Sequence, residues 1–319
     1  MCYSALVRQD LQWLTKRYGA EIAWEIFEEL FLRRLDDPDV KLCRALDVFV
    51  MRMEDERALK SQTYIEQYRV QQAHAWEQEL FEQRTRLTTA QRKLAKKETK
   101  EARKNERIAT DKIATLSTKL TTLRNDEVDT RDTRIFRMTY APVIVGEGER
   151  RMIRPMRYLC RLPGTPPGFD EKYPGIYNAR RDSLNAFWAP LYKRNHGILV
   201  ADCFFEKVER HVYERRELMA GERPSFFDLR FDPNSGEPMT IACVWAHWTG
   251  EGGPALDSFA AITDDPPPEV LATGHTRCVI PVKEENVKEW LSPGKVGEWR
   301  LEEILSERGV PYFEHRIAA

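Results

Sequence analysis

The chain has 319 residues, room for about two domains and a sizeable core. Its 50 Lys and Arg stand against 51 Asp and Glu, a net charge of −1. This excludes a chain that is basic as a whole and leaves any nucleic-acid surface to local clustering. Charged residues reach 32% of the chain, a high share for one compact globule that points to an extended, solvated element.

The N-terminal stretch MCYSALVRQD carries no long apolar run. The expectation is neither a signal peptide nor a membrane anchor, with the folded protein starting where the chain starts. Leu11 and Leu14, then Ile22, Ile26 and Leu30 with Phe27 and Phe31 beside them, step at helical spacing up to Asp36, where Asp-Asp-Pro breaks the pattern. From Asp39 to Ala141 there is neither glycine nor proline, which predicts mostly helix. Within it Leu80, Leu87 and Leu94 recur by sevens, and Ile113, Leu116, Leu120 and Leu123 step by three, four and three. Both patterns put apolar side chains on one coiled-coil-like seam. Between them Arg92–Arg107 is rich in Lys and Arg, and reads as the exposed end of an antiparallel hairpin or the middle of one long helix. Glu98, Glu101 and Glu106 dilute its charge, which favours a solvated tip over a second contact with DNA or a protein partner.

After Ala141 proline, glycine and aromatics become frequent. Short β-type runs appear at Ala141–Val145, Gly197–Val200, Met239–Trp245, Phe259–Thr263 and Cys278–Val282, with helical pieces at Val287–Leu291 and Leu301–Ser306. The expected class is α+β: a mixed, largely antiparallel β core with flanking helices, plus a long helical insertion. Five of the eight tryptophans and five of the six histidines lie in this part, so sites are expected here rather than in the helical segment.

The six cysteines are Cys2, Cys43, Cys160, Cys203, Cys243 and Cys278. They form no CxxC pair and no Cys/His group with zinc spacing, so no metal-ligand cluster is visible. The last five read as small buried hydrophobes, and the lack of a disulfide framework suits a reducing cytoplasm. Cys2 differs. Removal of Met1 would leave one residue holding both a thiol and a primary amine with a pKa of about 8, partly neutral at physiological pH. Such a group adds to an aldehyde as a Schiff base and closes to a thiazolidine, or acts as an N-terminal nucleophile on amides.

MCYSA at the start, YNARRD at Tyr177–Asp182, DCFFE at Asp202–Glu206, SFAAITDDPP from Ser258 and GHTRCVI from Gly274 form an ordered set. In this set the chain resembles the SOS-response-associated peptidase (SRAP) family of abasic-site-processing proteins. The resemblance covers roughly the first fifteen residues and everything after about Arg134. It implies a discontinuous catalytic domain of residues 1–15 and 134–319, with residues 16–133 inserted. It implies that Cys2 captures the ring-opened sugar aldehyde of an abasic site in single-stranded DNA, by a mechanism that needs neither a metal nor an organic cofactor. Asn178 would hydrogen-bond around the sugar, Glu206 would serve ring opening and proton transfer, His275 would sit near the lesion phosphate, and Arg180 would bind phosphate. Arg157 and Arg181 are expected to extend a basic track, and Phe169 or Tyr173 to stack on splayed bases. Arg181-Asp182 replaces the family's Ser-Glu, and Phe205-Glu206-Lys207 its Tyr-Glu-Trp. Two other readings use the same residues: a thiol peptidase or autoprotease acting through Cys2, and a helical scaffold carrying a degenerate domain.

Overall fold

The structure, a computed structural model, describes residues 3–250, 254–310 and 312–318. Among these, thirteen strands share one sheet: β1 (Ser4–Val7), β2 (Glu21–Ile22), β3 (Lys41–Leu42), β4 (Arg134–Phe136), β5 (Thr139–Glu147), β6 (Arg150–Tyr158), β7 (Asn178–Arg180), β8 (His196–Glu209), β9 (Phe226–Pro233), β10 (Met239–Trp248), β11 (Leu256–Asp264), β12 (Cys278–Val279) and β13 (Phe313–Ile317). Strand β8 pairs with β10, β10 with β11, β11 with β6, β6 with β5, and β5 again with β8. Five strands thus close into a small barrel in which only the β6–β11 contact is parallel. Gly197 sits at the closure. A Cβ there would lie 2.9 Å from Val143 Cγ1 and 3.3 Å from the Ile144 carbonyl oxygen, so the missing side chain lets β8 and β5 approach. The α+β reading holds, and four of the five expected runs lie inside β5, β8, β10 and β11. The fifth shrinks to β12, after which Pro281 makes a single bridge to Ile241.

Strand β8 is 14 residues long. Its first half belongs to the barrel. Its second half runs on between β1 and β9, with Phe205 opposite Ser4 and Glu206 opposite Leu229. This extension positions the candidate site.

Three helices follow β1, of which the first two pack against β6: α1 (Leu11–Tyr18), α2 (Trp24–Arg33) and α3 (Arg44–Met51). Asp10 caps α1 by accepting from the Trp13 N–H, and Gly19 ends it at φ 59°. Leu11, Leu14, Trp24, Phe27, Phe31 and Leu46 lie in the same core as the barrel residues, and β2 and β3 join β6 and β5. Residues 11–51 are therefore packed as part of the β unit's core.

The glycine-free stretch then forms α4 (Leu59–Lys96) and α5 (Lys100–Arg124). The pairs Glu77–Arg124, Glu79–Lys112 and Arg86–Asn105 run in opposite directions along the two helices, which makes an antiparallel hairpin with its turn at residues 97–99. Leu80, Leu116 and Leu120 form a small cluster of their own along the seam. At ~1.5 Å per residue α4 is about 57 Å long. Its base is fixed to the core by arginines. Arg34 pairs with Asp47 at 2.9 Å, both buried, and lies 3.9 Å from the centre of the Tyr68 ring. Arg44 donates to the Asn125 carbonyl at 2.6 Å where α5 ends. No helix of the described residues is long and apolar enough to cross a membrane.

Candidate functional site

Alternate side chains of a strand share a face. Along the β8 extension Phe204 and Val208 face the main core, while Cys203 and Phe205 face a small outer cluster. Glu206 lies between Phe204 and Val208 on the core face and is fully buried. Burial there pushes its carboxyl well above the usual carboxylate range, against the pull of the Tyr3 backbone N–H and the Arg277 charge.

A loop entering β12 brings the second group. Gly274 has φ 90°, and a Cβ on it would sit 2.4 Å from Val212 Cγ1 and 3.7 Å from Val208 Cγ1. Only glycine fits both the backbone and the space, and the loop therefore lies directly on the β8 extension. This seats His275 with Nε2 at 3.2 Å from Glu206 Oε2. His275 Nδ1 donates to the Arg277 carbonyl at 2.8 Å, which assigns the ring proton to Nδ1. Burial lowers His275 to about 4. Burial thus pushes both partners toward their neutral forms, with the two groups 3.2 Å apart. A carboxylic acid aimed at an imidazole nitrogen can pass a proton either way.

The first described residues, Tyr3 and Ser4, are fixed to the same extension. The Tyr3 N–H donates to the Phe205 carbonyl at 3.0 Å. Arg134 holds Ser4 Oγ at 2.9 Å and Asp228 at 3.2 Å, and lies 3.8 Å over the Phe205 ring. Cys2, the expected reacting residue, lies outside the described residues.

Asn178 opens β7 opposite Ala261 of β11. Its side chain is buried, and Oδ1 accepts from the Tyr158 hydroxyl at 3.3 Å. Tyr158 is itself stacked on Phe259 and edge-on to Tyr177. Asn178 Nδ2 has no hydrogen-bond partner among the described residues, which leaves a buried amide donor for an acceptor brought from outside. The contacts resolve into two pairs, Glu206 with His275 and Asn178 with Tyr158. Strand β11 takes β7 along Ala261–Thr263 and β12 along Thr263–Asp264, so both segments converge on one strand.

The expected DNA-binding residues are placed differently from one another. Arg180 is partly exposed beside Asp182 at 3.0 Å and Asp265 at 3.4 Å. Arg181 is tied to Asp264, Glu302 and Ser306. Arg157 is internal, with its guanidinium and that of Arg161 both gripping Asp170; a buried guanidinium needs such a carboxylate. This position gives it no surface for the phosphate contact expected of it. Phe169 is half-buried and leans on Tyr173 at 4.7 Å, and Tyr173 is the exposed ring of the two.

Two further residues come from the structure. Arg277 faces the Glu206–His275 pair electrostatically, and its guanidinium has no ion pair among the described residues. It stands two positions after His275 in the same motif, which was the available signal. Tyr158 follows Arg157 directly, but nothing in the sequence pairs it with Asn178. His196 and His247 serve elsewhere: His196 is stacked on Trp290 and donates to its carbonyl, and His247 lies 2.7 Å from Asp257. No group of three metal-binding side chains occurs among the described residues.

A family model described as SOS response associated peptidase (SRAP) matches residues 83–315. A comparison with curated proteins returned no match. Among solved structures, a Bacteroides thetaiotaomicron protein is similar at 14% identity and TM-score 0.45, over 59% of this chain and 78% of its own. A Bordetella bronchiseptica protein is similar at 18% identity and TM-score 0.45, over 60% and 89%. A phage-related protein from Bordetella bronchiseptica is similar at 16% identity and TM-score 0.44, over 58% and 81%.

Proposed function

We propose, from the premise that the chain belongs to the SOS response associated peptidase family, that it captures abasic sites in single-stranded DNA as a covalent adduct of Cys2. Membership supports a role in the response to DNA damage at the level of the family. The observation that carries the finer reading is the buried Glu206–His275 pair, set against the strand extension to which Tyr3 is hydrogen-bonded.

The chemistry follows from the groups available. Removal of Met1 exposes the Cys2 amine. An abasic sugar is a cyclic hemiacetal; moving the proton of its C1 hydroxyl to the ring oxygen opens it to an aldehyde. A carboxyl whose proton is held more tightly by burial can serve this shift in either direction. The amine then adds to the aldehyde, and the carbinolamine loses one water to give an imine, with Glu206 or His275 supplying the proton to the departing hydroxyl. The Cys2 thiol adds across the C=N bond and its proton ends on nitrogen, closing a thiazolidine. One water leaves overall and nothing is oxidised or reduced. Asn178 Nδ2 offers a donor to a sugar oxygen, and Arg180 and Arg277 offer cations to the flanking phosphates. The adduct would shield the lesion from strand cleavage by β-elimination. In this proposal the domain is discontinuous, and the expected insertion at 16–133 narrows to the hairpin 59–124, because residues 11–51 share the barrel's core.

The test is a denaturing gel of the Met1-processed protein with single-stranded DNA bearing one abasic site, with mass spectrometry confirming the free N-terminus. A retarded band that is lost in Cys2→Ala is expected. No band from correctly processed protein would overturn the proposal, and cleavage of peptide substrates without DNA capture would favour the thiol-peptidase reading.

A further inference from the structure

We infer that the turn end of the α4–α5 hairpin is a second nucleic-acid surface, which binds the phosphate backbone of duplex DNA. Between residues 84 and 112 there are eleven Lys and Arg against four Asp and Glu, a net +7. The rest of the chain then carries −8, so the arm's end is the positive pole of a molecule whose total charge is −1. In the sequence, Glu98, Glu101 and Glu106 interleave with these cations and dilute the field. The structure ties up two of the four carboxylates of the stretch and leaves Glu101 and Glu106 without an ion pair among the described residues. Glu98 is spent on Arg103 and Asp111 on Arg107, while Lys112 is taken by Glu79 from lower on the arm. Arg84, Arg92, Lys93, Lys96, Lys97, Lys100 and Lys104 are all exposed. None of these seven has an ion pair or side-chain hydrogen bond among the described residues.

The arrangement favours duplex DNA over other polyanions. The cations are mounted on two rigid antiparallel helices, with Leu94, Ala102 and Ala109 turned toward the seam. A helix that lies on a membrane presents large apolar residues on its outer face, and this end has none. A single-strand binder stacks bases on aromatic rings, and no Phe, Tyr or Trp occurs between residues 84 and 112. What remains is a rigid array of mostly lysine point charges, which suits a rigid backbone of evenly spaced phosphates. The buried Arg34–Asp47 pair and the Arg44 contacts fix the arm's base, so a contact at its end orients the whole protein on the helix. This inference does not rest on chemistry at Cys2.

The experiment uses the full chain and an undamaged duplex oligonucleotide, so failure of abasic-site capture leaves it unaffected. Binding is followed by fluorescence anisotropy over a series of salt concentrations. One variant carries Lys93→Gln, Lys96→Gln, Lys97→Gln and Lys100→Gln together; a second carries arginine at the same four positions. All four side chains are exposed, and circular dichroism checks that both variants fold. The glutamine variant is expected to bind roughly tenfold or more weakly at low salt, with the slope of log K against log salt reduced by roughly 3 to 4, while the arginine variant keeps both. Unchanged affinity and slope in the glutamine variant would overturn the inference. So would tighter binding of the parent chain to polyglutamate or to anionic vesicles than to the duplex.

Discussion

Replacing His275 by glutamine removes a titration that the fold suppresses. An unfolded histidine takes its proton near pH 6.5, whereas buried His275 does so only at about 4. Between these values the unfolded chain binds more protons than the folded one. The contribution is therefore fully present above pH 6.5 and is lost as the pH falls toward 4. Integrated from pH 7.5 to pH 4.5, that difference is about 2.5 kcal/mol. The His275 side chain keeps 11% of its exposure, so residual solvent makes this figure an upper value. Urea denaturation of both proteins at the two pH values gives the comparison. His275→Gln should lose up to about 2.5 kcal/mol less stability on acidification than the parent. Identical pH dependence in the two would show that the imidazole titrates alike in folded and unfolded chains, and would refute the neutral Glu206–His275 pairing.

Three further outcomes follow from single contacts. Glu206→Gln keeps the shape and a donor toward His275 Nε2 but has no labile acid proton, so single-turnover capture of an abasic site should slow by roughly 10²–10⁴-fold with the melting temperature little changed. Gly274→Ala meets both a φ of 90° and a contact at 2.4 Å; it should destabilise the chain by roughly 2–4 kcal/mol in urea and slow capture by displacing His275. Asp170→Ala strands the internal Arg157 charge and should lose roughly 3–5 kcal/mol in the same assay, whereas substituting exposed Asp182 should change stability little.

Much of the fold was legible because its signals are local. The uninterrupted run from Asp39 to Ala141 contains the hairpin, and apolar runs marked the barrel strands β5, β8, β10 and β11. Strand β6 was not legible. Arg150, Arg151, Arg154 and Arg157 with Pro155 read as a polar segment, yet Arg154 is matched by Asp257 and Glu147, and Arg157 by Asp170. Those carboxylates arrive from other parts of the chain, so nothing near β6 announces that its charges are compensated. The helices α1–α3 had the right periodicity, but a helical pattern does not say which core a helix joins. For the candidate site, the motifs pointed to Glu206, His275 and Asn178. That Gly274 presses the His275 loop onto Val212, that Asp170 draws Arg157 inward, and that Tyr158 holds Asn178 all depend on contacts between distant segments. The state of the acid–histidine pair was illegible for the same reason, since it is set by burial.

The most direct measurement is peptide mapping by mass spectrometry of the product formed between the Met1-processed protein and an oligonucleotide carrying one abasic site. A single modified peptide is expected, the N-terminal one, with the adduct on Cys2, a mass equal to the two reactants less one water, and no free thiol at that residue. An adduct on a lysine, or on Cys2 with its thiol still free, would contradict thiazolidine formation at Cys2.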